Sequence, residues 1–181
     1  GRVVPPERGL VARDRAERDS GKRLLVLGAG PAQLGLLEAA RARDLYVVAA
    51  DRDPSAVGFA LADRRALVST EDEVGLTRLA RAERVDGVIA PGIDWPVAIA
   101  ARIAERLGLP HPISPEAAVL ATSKLRQRRR LDEAGVAQPR WQVVEGAETV
   151  ELEPPLVVKA PDRQGQRGLS LVRAAEELGP A

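Results

Sequence analysis

Cysteine and methionine are both absent from the 181 residues, and histidine occurs once, as His111. Without cysteine there are no disulfides, no thiolate metal sites and no cysteine nucleophile, and the expected compartment is reducing. The lone histidine sits in the turn Leu109-Pro110-His111-Pro112, so a histidine-rich metal cluster is excluded and a serine triad would hang on one turn residue. Aromatic residues make up 2% of the chain against 45% hydrophobic residues. A core must therefore be built from Leu, Val, Ile and Ala, as in layered α/β proteins whose parallel strands are covered on both faces. Neither sign of charge prevails: 27 Lys and Arg meet 26 Asp and Glu, and a net charge of +1 supplies no field to gather nucleic acid or an anionic membrane. No apolar run approaches the roughly 20 residues of a membrane span, and residues 1–20 lack the apolar core of a signal peptide, which implies a cytoplasmic protein. The missing methionine implies an initiator removed or a chain that begins inside a longer one.

What is present reads as α/β. The length, against about 100 to 200 residues per domain, allows one ordinary domain or a small domain with part of another. Residues 1–20 carry Pro5-Pro6 and a mixed-charge run with little to bury, a flexible flank. From Arg23 short apolar runs alternate with helix-period segments, the pattern of βαβ units around a parallel sheet. Strands are expected at 23–27, 46–50, 66–68 and 85–90. A helix should follow Pro31, Asp53 should cap a short helix beginning at Pro54, and Thr70 with Glu73 has capping-box spacing. A helix after Pro91-Gly92 should turn Val97, Ile99, Ile103 and Leu107 inward and end at Gly108 and Pro110. Near Pro112 the alternation stops. Two helices follow in succession, starting at Ser114 and Ser123, then a strand is expected at 141–144 and a hairpin at 156–159 and 169–172. Another helix should begin at Arg173. The expected organisation is a flank at 1–20, a Rossmann-like domain at 21–112 and a second, incomplete domain at 113–181.

Two glycine motifs carry chemistry. Gly28-Ala29-Gly30-Pro31-Ala32-Gln33-Leu34-Gly35 follows a strand and opens a helix, where backbone N–H groups and the helix dipole favour an anion. The third glycine of a dinucleotide fingerprint falls on Gln33, although Asp51 stands where a ribose-binding acid would. A nicotinamide-dependent oxidoreductase using Gly28, Gly30 and Asp51 is thus one reading, and a simple tight turn is another. In the second motif, Val157-Val158-Lys159-Ala160-Pro161-Asp162-Arg163-Gln164-Gly165-Gln166-Arg167-Gly168, the glycines let a loop fold over phosphates. Arg163 and Arg167 add positive charge, and Lys159 projects from a strand, where a lysine would meet phosphate oxygens as a flexible point charge. The bland alternative is a surface hairpin. Of the 27 basic residues only Lys22, Lys124 and Lys159 are lysines. Arg126, Arg128, Arg129 and Arg130 read as a solvated helix face, Asp94 as a helix N-cap or a substrate contact at a strand end, and Trp95 and Trp141 as packing residues.

Taken together, these segments resemble the ATP-grasp superfamily, the carboxylate–amine ligases that include biotin carboxylase and carbamoyl phosphate synthetase. Gly28 to Gly35, Asp51-Arg52-Asp53-Pro54 and the run Asp86 to Asp94 are similar to the Rossmann-like domain that precedes ATP-grasp in that family. Ser123-Lys124-Leu125-Arg126, Ala134-Gly135-Val136-Ala137-Gln138-Pro139 and the Lys159 to Gly168 loop are similar to the start of the ATP-grasp domain itself. The resemblance implies that ATP phosphorylates a carboxylate or bicarbonate and that an amine or other nucleophile then displaces phosphate from the acyl phosphate. It implies nucleotide contacts from Lys124, Lys159, Gly165, Gln166, Arg167 and Gly168, and an acceptor-substrate pocket near Gly30, Asp51 and Asp94. Magnesium is implied too, with ligands and catalytic residues in sequence beyond this chain, so the chain alone should be inactive. Small-molecule carboxylate and amine substrates are the implied partners, without nucleic acid or membrane, and homodimerisation is left open. A nucleotide-sensing module that kept the fold and lost the chemistry is the non-enzymatic alternative.

Overall fold

The computed structural model describes residues 21–161 and 168–179. Two compact units make up the chain, Gly1–Pro115 and Glu116–Ala181.

In the first unit, four strands form one parallel sheet in the order β3-β2-β1-β4: β1 (Arg23–Leu27), β2 (Tyr46–Asp51), β3 (Arg64–Leu67) and β4 (Gly87–Ile89). The register sets Leu25 beside both Val48 and Val88. Successive strand residues point to opposite faces, and both faces are buried. Leu25, Leu27, Val48, Ala50 and Val88 pack with Leu76, Ile99 and Ile103, whereas Val26, Val47 and Ala49 pack with Leu37, Ala40 and Phe59. The first group faces helices α2 (Glu73–Ala82) and α3 (Trp95–Leu107), the second α1 (Leu34–Arg41) and a 3₁₀ turn at Val57–Leu61. A core this poor in aromatic rings closes because small Ala residues let helices approach the strands while Leu and Ile fill the gaps.

Several local expectations are corrected. Asp53 starts no helix; its carboxylate accepts bonds from the Ser55 N–H (2.8 Å) and hydroxyl (2.6 Å), and the chain coils only later, at Val57–Leu61. Those two bonds satisfy the aspartate locally and hold its carboxyl below the ordinary 3.8. Helix α2 is capped by Asp72, whose side chain accepts from the Gly75 N–H at 2.9 Å, so the pair Thr70 and Glu73 forms no capping box. Trp95 is 59% exposed, not a packing residue, because Pro96 beside it takes the inward position on the first turn of α3. Gly108 ends that helix in the left-handed conformation, at φ +65°.

The second unit contains α4 (Pro115–Thr122, its first residue closing the previous unit), α5 (Lys124–Glu133), and an antiparallel ribbon of β5 (Leu156–Lys159) and β6 (Leu169–Val172). Ser123 caps α5 by accepting from the Arg126 N–H, and Gly135 at φ +65° closes it. No strand forms at 141–144. There the Gln142 side chain, rather than the backbone, does the bridging: it accepts from the Glu151 and Leu152 N–H groups and donates to the Thr149 carbonyl. In place of a helix from Arg173, a 3₁₀ turn covers Ala175–Glu177.

Candidate functional site

The carboxyl ends of β1, β2 and β4 gather the first set of candidates. The sheet order makes β1 and β4 neighbours although β2 and β3 intervene in sequence, so the chain reverses its direction of progress between them. Ligands of open parallel sheets bind in the crevice at such a reversal. Here Gly28 turns the chain at φ +101°, its N–H donating to the Ala50 carbonyl at 2.8 Å. The Ala29 N–H donates to Asp51 Oδ2 at 2.8 Å, and the Ala29 carbonyl accepts from the Gly58 N–H at 2.7 Å. Asp51 Oδ1 accepts from the Asp53 N–H at 3.0 Å. Asp51 thus organises two loops with its two oxygens. Asp94 occupies the N-cap position of α3 yet has helical backbone angles and makes no side-chain cap bond.

Gln33 is a residue that the sequence marks only as a missing glycine. It is 1% exposed, and its carboxamide spans the crevice: Oε1 accepts from the Gly30 N–H at 3.0 Å and Nε2 donates to the Pro91 carbonyl at 2.7 Å. A periodic pattern cannot announce a buried glutamine of this kind; the only signal is its place in the fingerprint.

The second set lies wholly in the second unit. A cleft of about 610 Å³ is lined by Lys124, Arg128, Trp141, Val143, Val144, Leu156, Val158, Lys159 and neighbours. Lys124 and Lys159, 35 positions apart in sequence, share this wall. The start of α5 is tied to the strand end, since the Lys124 N–H donates to the Pro161 carbonyl at 3.3 Å. Arg128 is held by Gln138, which accepts from its guanidinium at 3.0 Å and donates to its carbonyl at 3.0 Å. Trp141 donates its indole N–H to Asp132 Oδ2 at 2.9 Å. No residue of α5 is buried, as expected for the arginine-rich helix face. Gly168, at φ +66°, accepts from the Ala160 N–H at 2.9 Å and closes the base of the hairpin loop. Gly165, Gln166 and Arg167 lie outside the described residues.

The lining combines apolar side chains of β5 and of residues 141–144 with cations that include Lys124, Arg128 and Lys159. The formate-dependent phosphoribosylglycinamide formyltransferase of Burkholderia vietnamiensis is 28% identical over 169 residues, covering 90% of this chain and 42% of that protein. N5-carboxyaminoimidazole ribonucleotide synthetase from Thermus thermophilus superposes with a TM-score of 0.67 at 27% identity, covering 86% of this chain and 42% of that one. Phosphoribosylglycinamide synthetase from Anaerococcus prevotii does so with a TM-score of 0.63 at 26% identity, covering 78% and 37%. The chain shares the fold of the matching part of these proteins, which are ATP-grasp ligases. The chain spans about two fifths of the length of these ATP-grasp relatives. No protein-family model matches the chain.

Magnesium, which ATP-grasp chemistry implies, has no ligand set among the described residues: no group of three or more His, Asp or Glu there is placed to hold a metal ion. No described helix is long and apolar enough to cross a membrane.

Proposed function

We propose that this chain is the amino-terminal part of an ATP-dependent ligase that activates a carboxylate as an acyl phosphate and joins it to an amine or related nucleophile. The single observation that supports this most is the cleft shared by Lys124 and Lys159. In this reading both ammonium groups neutralise the triphosphate, as flexible point charges that meet phosphate oxygens from two sides. Arg128, braced by Gln138, adds a third cation on the same wall. The loop ending at Gly168, with Gly165, Gln166 and Arg167, would present backbone N–H groups to the phosphates. Bound ATP supplies the transferable phosphoryl group. Residues of this chain bind and orient it, while metal ligands and the acyl-transfer groups belong to sequence outside the chain.

The first unit would contribute the acceptor pocket, with Gly30, Asp51 and Asp94 at its strand ends. Asp51 acts there by holding loop 28–30 in place, and Asp94, at the entrance to α3, would contact the substrate. The functional domains are read as 21–112 and 113–181, the substrates as small molecules, and the setting as cytoplasmic.

Tryptophan fluorescence tests the ATP step, because one of the two tryptophans, Trp141, lines the cleft and a Trp95→Phe background isolates its signal. ATP should change that signal saturably. Lys159→Ala and Lys124→Ala should each weaken the apparent affinity about tenfold, the loss of roughly one charge-assisted hydrogen bond. Unchanged affinity in both variants would refute the assignment.

A further inference from the structure

The crevice between β1 and β4 is where an open parallel sheet ordinarily receives a ligand, and in this chain a side chain already fills its floor. Every N–H of the turn Gly28-Ala29-Gly30 is taken internally: by the Ala50 carbonyl at 2.8 Å, by Asp51 Oδ2 at 2.8 Å and by Gln33 Oε1 at 3.0 Å. Two of those acceptors are side-chain oxygens, which is what a bound anion would otherwise provide to such a turn. The surrounding backbone is shaped to admit the glutamine. A Cβ on Gly28 would meet Gln33 Cδ at 3.0 Å, and one on Gly92 would meet Ala32 Cβ at 3.2 Å and Gln33 Nε2 at 3.6 Å. Both glycines have positive φ, +101° and +70°.

We propose that Gln33 is the specificity-determining residue of this crevice: its carboxamide stands in for an anion, closes the glycine turn to diphosphate-bridged dinucleotides, and fastens the loop that carries Asp94 to the loop after β1. The closure is energetic as well as steric. A diphosphate would have to displace a buried carboxamide whose donor and acceptor are both satisfied, leaving the Pro91 carbonyl without its partner. A single change, Gln33→Gly, restores the third glycine of the dinucleotide fingerprint begun by Gly28 and Gly30 and frees the Gly30 N–H. The inference rests on the first unit alone and holds whether or not the second unit binds ATP.

The test follows two probes, inorganic pyrophosphate and NADH, by calorimetry on the whole chain carrying Lys124→Ala and Lys159→Ala, which removes the proposed phosphate-binding lysines of the second unit's cleft. With Gln33 as in the wild type, that chain should show no saturable binding of either at millimolar concentration. Gln33→Gly should bind pyrophosphate at least about tenfold more tightly, a change of about 1.4 kcal/mol. Gln33→Ala, which keeps a helix-compatible residue, should show the same gain in weaker form. Amide exchange on the wild type gives a readout independent of any variant, because a Gly30 N–H bonded to a buried oxygen must exchange slowly. Pyrophosphate or NADH binding to the lysine-free cleft chain with Gln33 in place, as tight as to its Gln33 variants, would overturn the proposal. So would folded variants that gain nothing, or a Gly30 amide exchanging at the rate of an open loop. With both lysines restored, ATP titration of the Gln33 variants should remain at wild-type affinity, which separates this result from the fate of the ligase reading.

Discussion

The two units handle their apolar residues in opposite ways. In the first, Leu25, Leu27, Val26, Val47 and Val48 are all fully buried, and two side-chain clusters cover the two faces of one sheet. In the second, only Ala118 and Val172 are buried among the described apolar residues, while Val157, Leu169 and Leu171 on the ribbon are each nearly half exposed. A parallel sheet cannot persist with a bare face, because its crossover helices must lie on it. A two-stranded ribbon can be assembled locally but is marginal by itself. The unit rich in packing thus holds most of the buried core, and the unit poor in packing carries the paired lysines. Stability and nucleotide affinity should consequently respond to different substitutions.

The largest effect that would sharpen this contrast is a core truncation. Ile103, fully buried between α3 and the sheet, is expected to cost about 2–5 kcal/mol when cut to Ala. Urea unfolding read through Trp95 should register that loss, whereas ATP affinity read through Trp141 under native conditions should not change. Next is Gly58→Ala. The new methyl carbon would lie 2.6 Å from both the Ala29 carbonyl oxygen and Leu37 Cδ1, and backbone on one side cannot yield easily. A loss of about 1–3 kcal/mol follows from such overpacking, again measurable by denaturation. A neutral outcome would mean that the 3₁₀ turn is free to move off the glycine loop.

Much of this contrast is legible in the sequence. Strand β1 and the ribbon fall where alternation and turn residues place them, since apolar runs flanked by glycine and proline have few other solutions. Lys124 and Lys159 stand out because they belong to recognisable motifs, and their common cleft follows from the backbone bond joining the start of α5 to the strand end. The failures share one physical cause, competition from local side-chain bonds. Asp53 binds Ser55 instead of starting a helix, Asp72 displaces Thr70 as a cap, and Gln142 bridges a segment expected to be a strand. Short polar side chains satisfy nearby backbone in several ways of similar energy, so spacing alone does not select one. Gln33 is the sharpest case, because its role depends on Pro91, 58 positions away, which no local window contains.

A smaller effect probes how the first unit meets acid. Glu73 accepts from Arg102 at 2.8 Å and from Arg106 at 3.0 Å, joining α2 to α3. The hydrogen bond from Arg102 is the main reason its carboxyl sits below the ordinary 4.5, with partial burial opposing and the charges of Arg102 and Arg106 assisting. A depressed carboxylate stabilises the fold fully above its unfolded pKa and loses that contribution as pH falls through the folded value. Glu73→Gln should therefore lower stability at neutral pH, by about 1 kcal/mol or less at this partly exposed site. The gap from wild type should shrink once the pH drops below 4.5. Thermal melts at neutral pH and at a pH well under that value check it; a gap that widens in acid would reverse the sign and discredit the pairing.

The smallest expected effect is the one that could undo the comparison. Leu171 is 47% exposed, and its strand partner Val157 is exposed to the same degree. If the ribbon buries no core of its own, Leu171→Ser removes a side chain that is already half in water, and the change should stay within about 0.5 kcal/mol. Amide exchange across residues 156–159 and 169–172 reads the ribbon directly, where a global melt dominated by the first unit would miss it. A loss in ribbon protection worth more than about 2 kcal/mol could come only from a side chain withdrawn from solvent. The second unit would then close a core comparable in kind to the first, and the division between a packed unit and a chemically equipped one would no longer describe the protein.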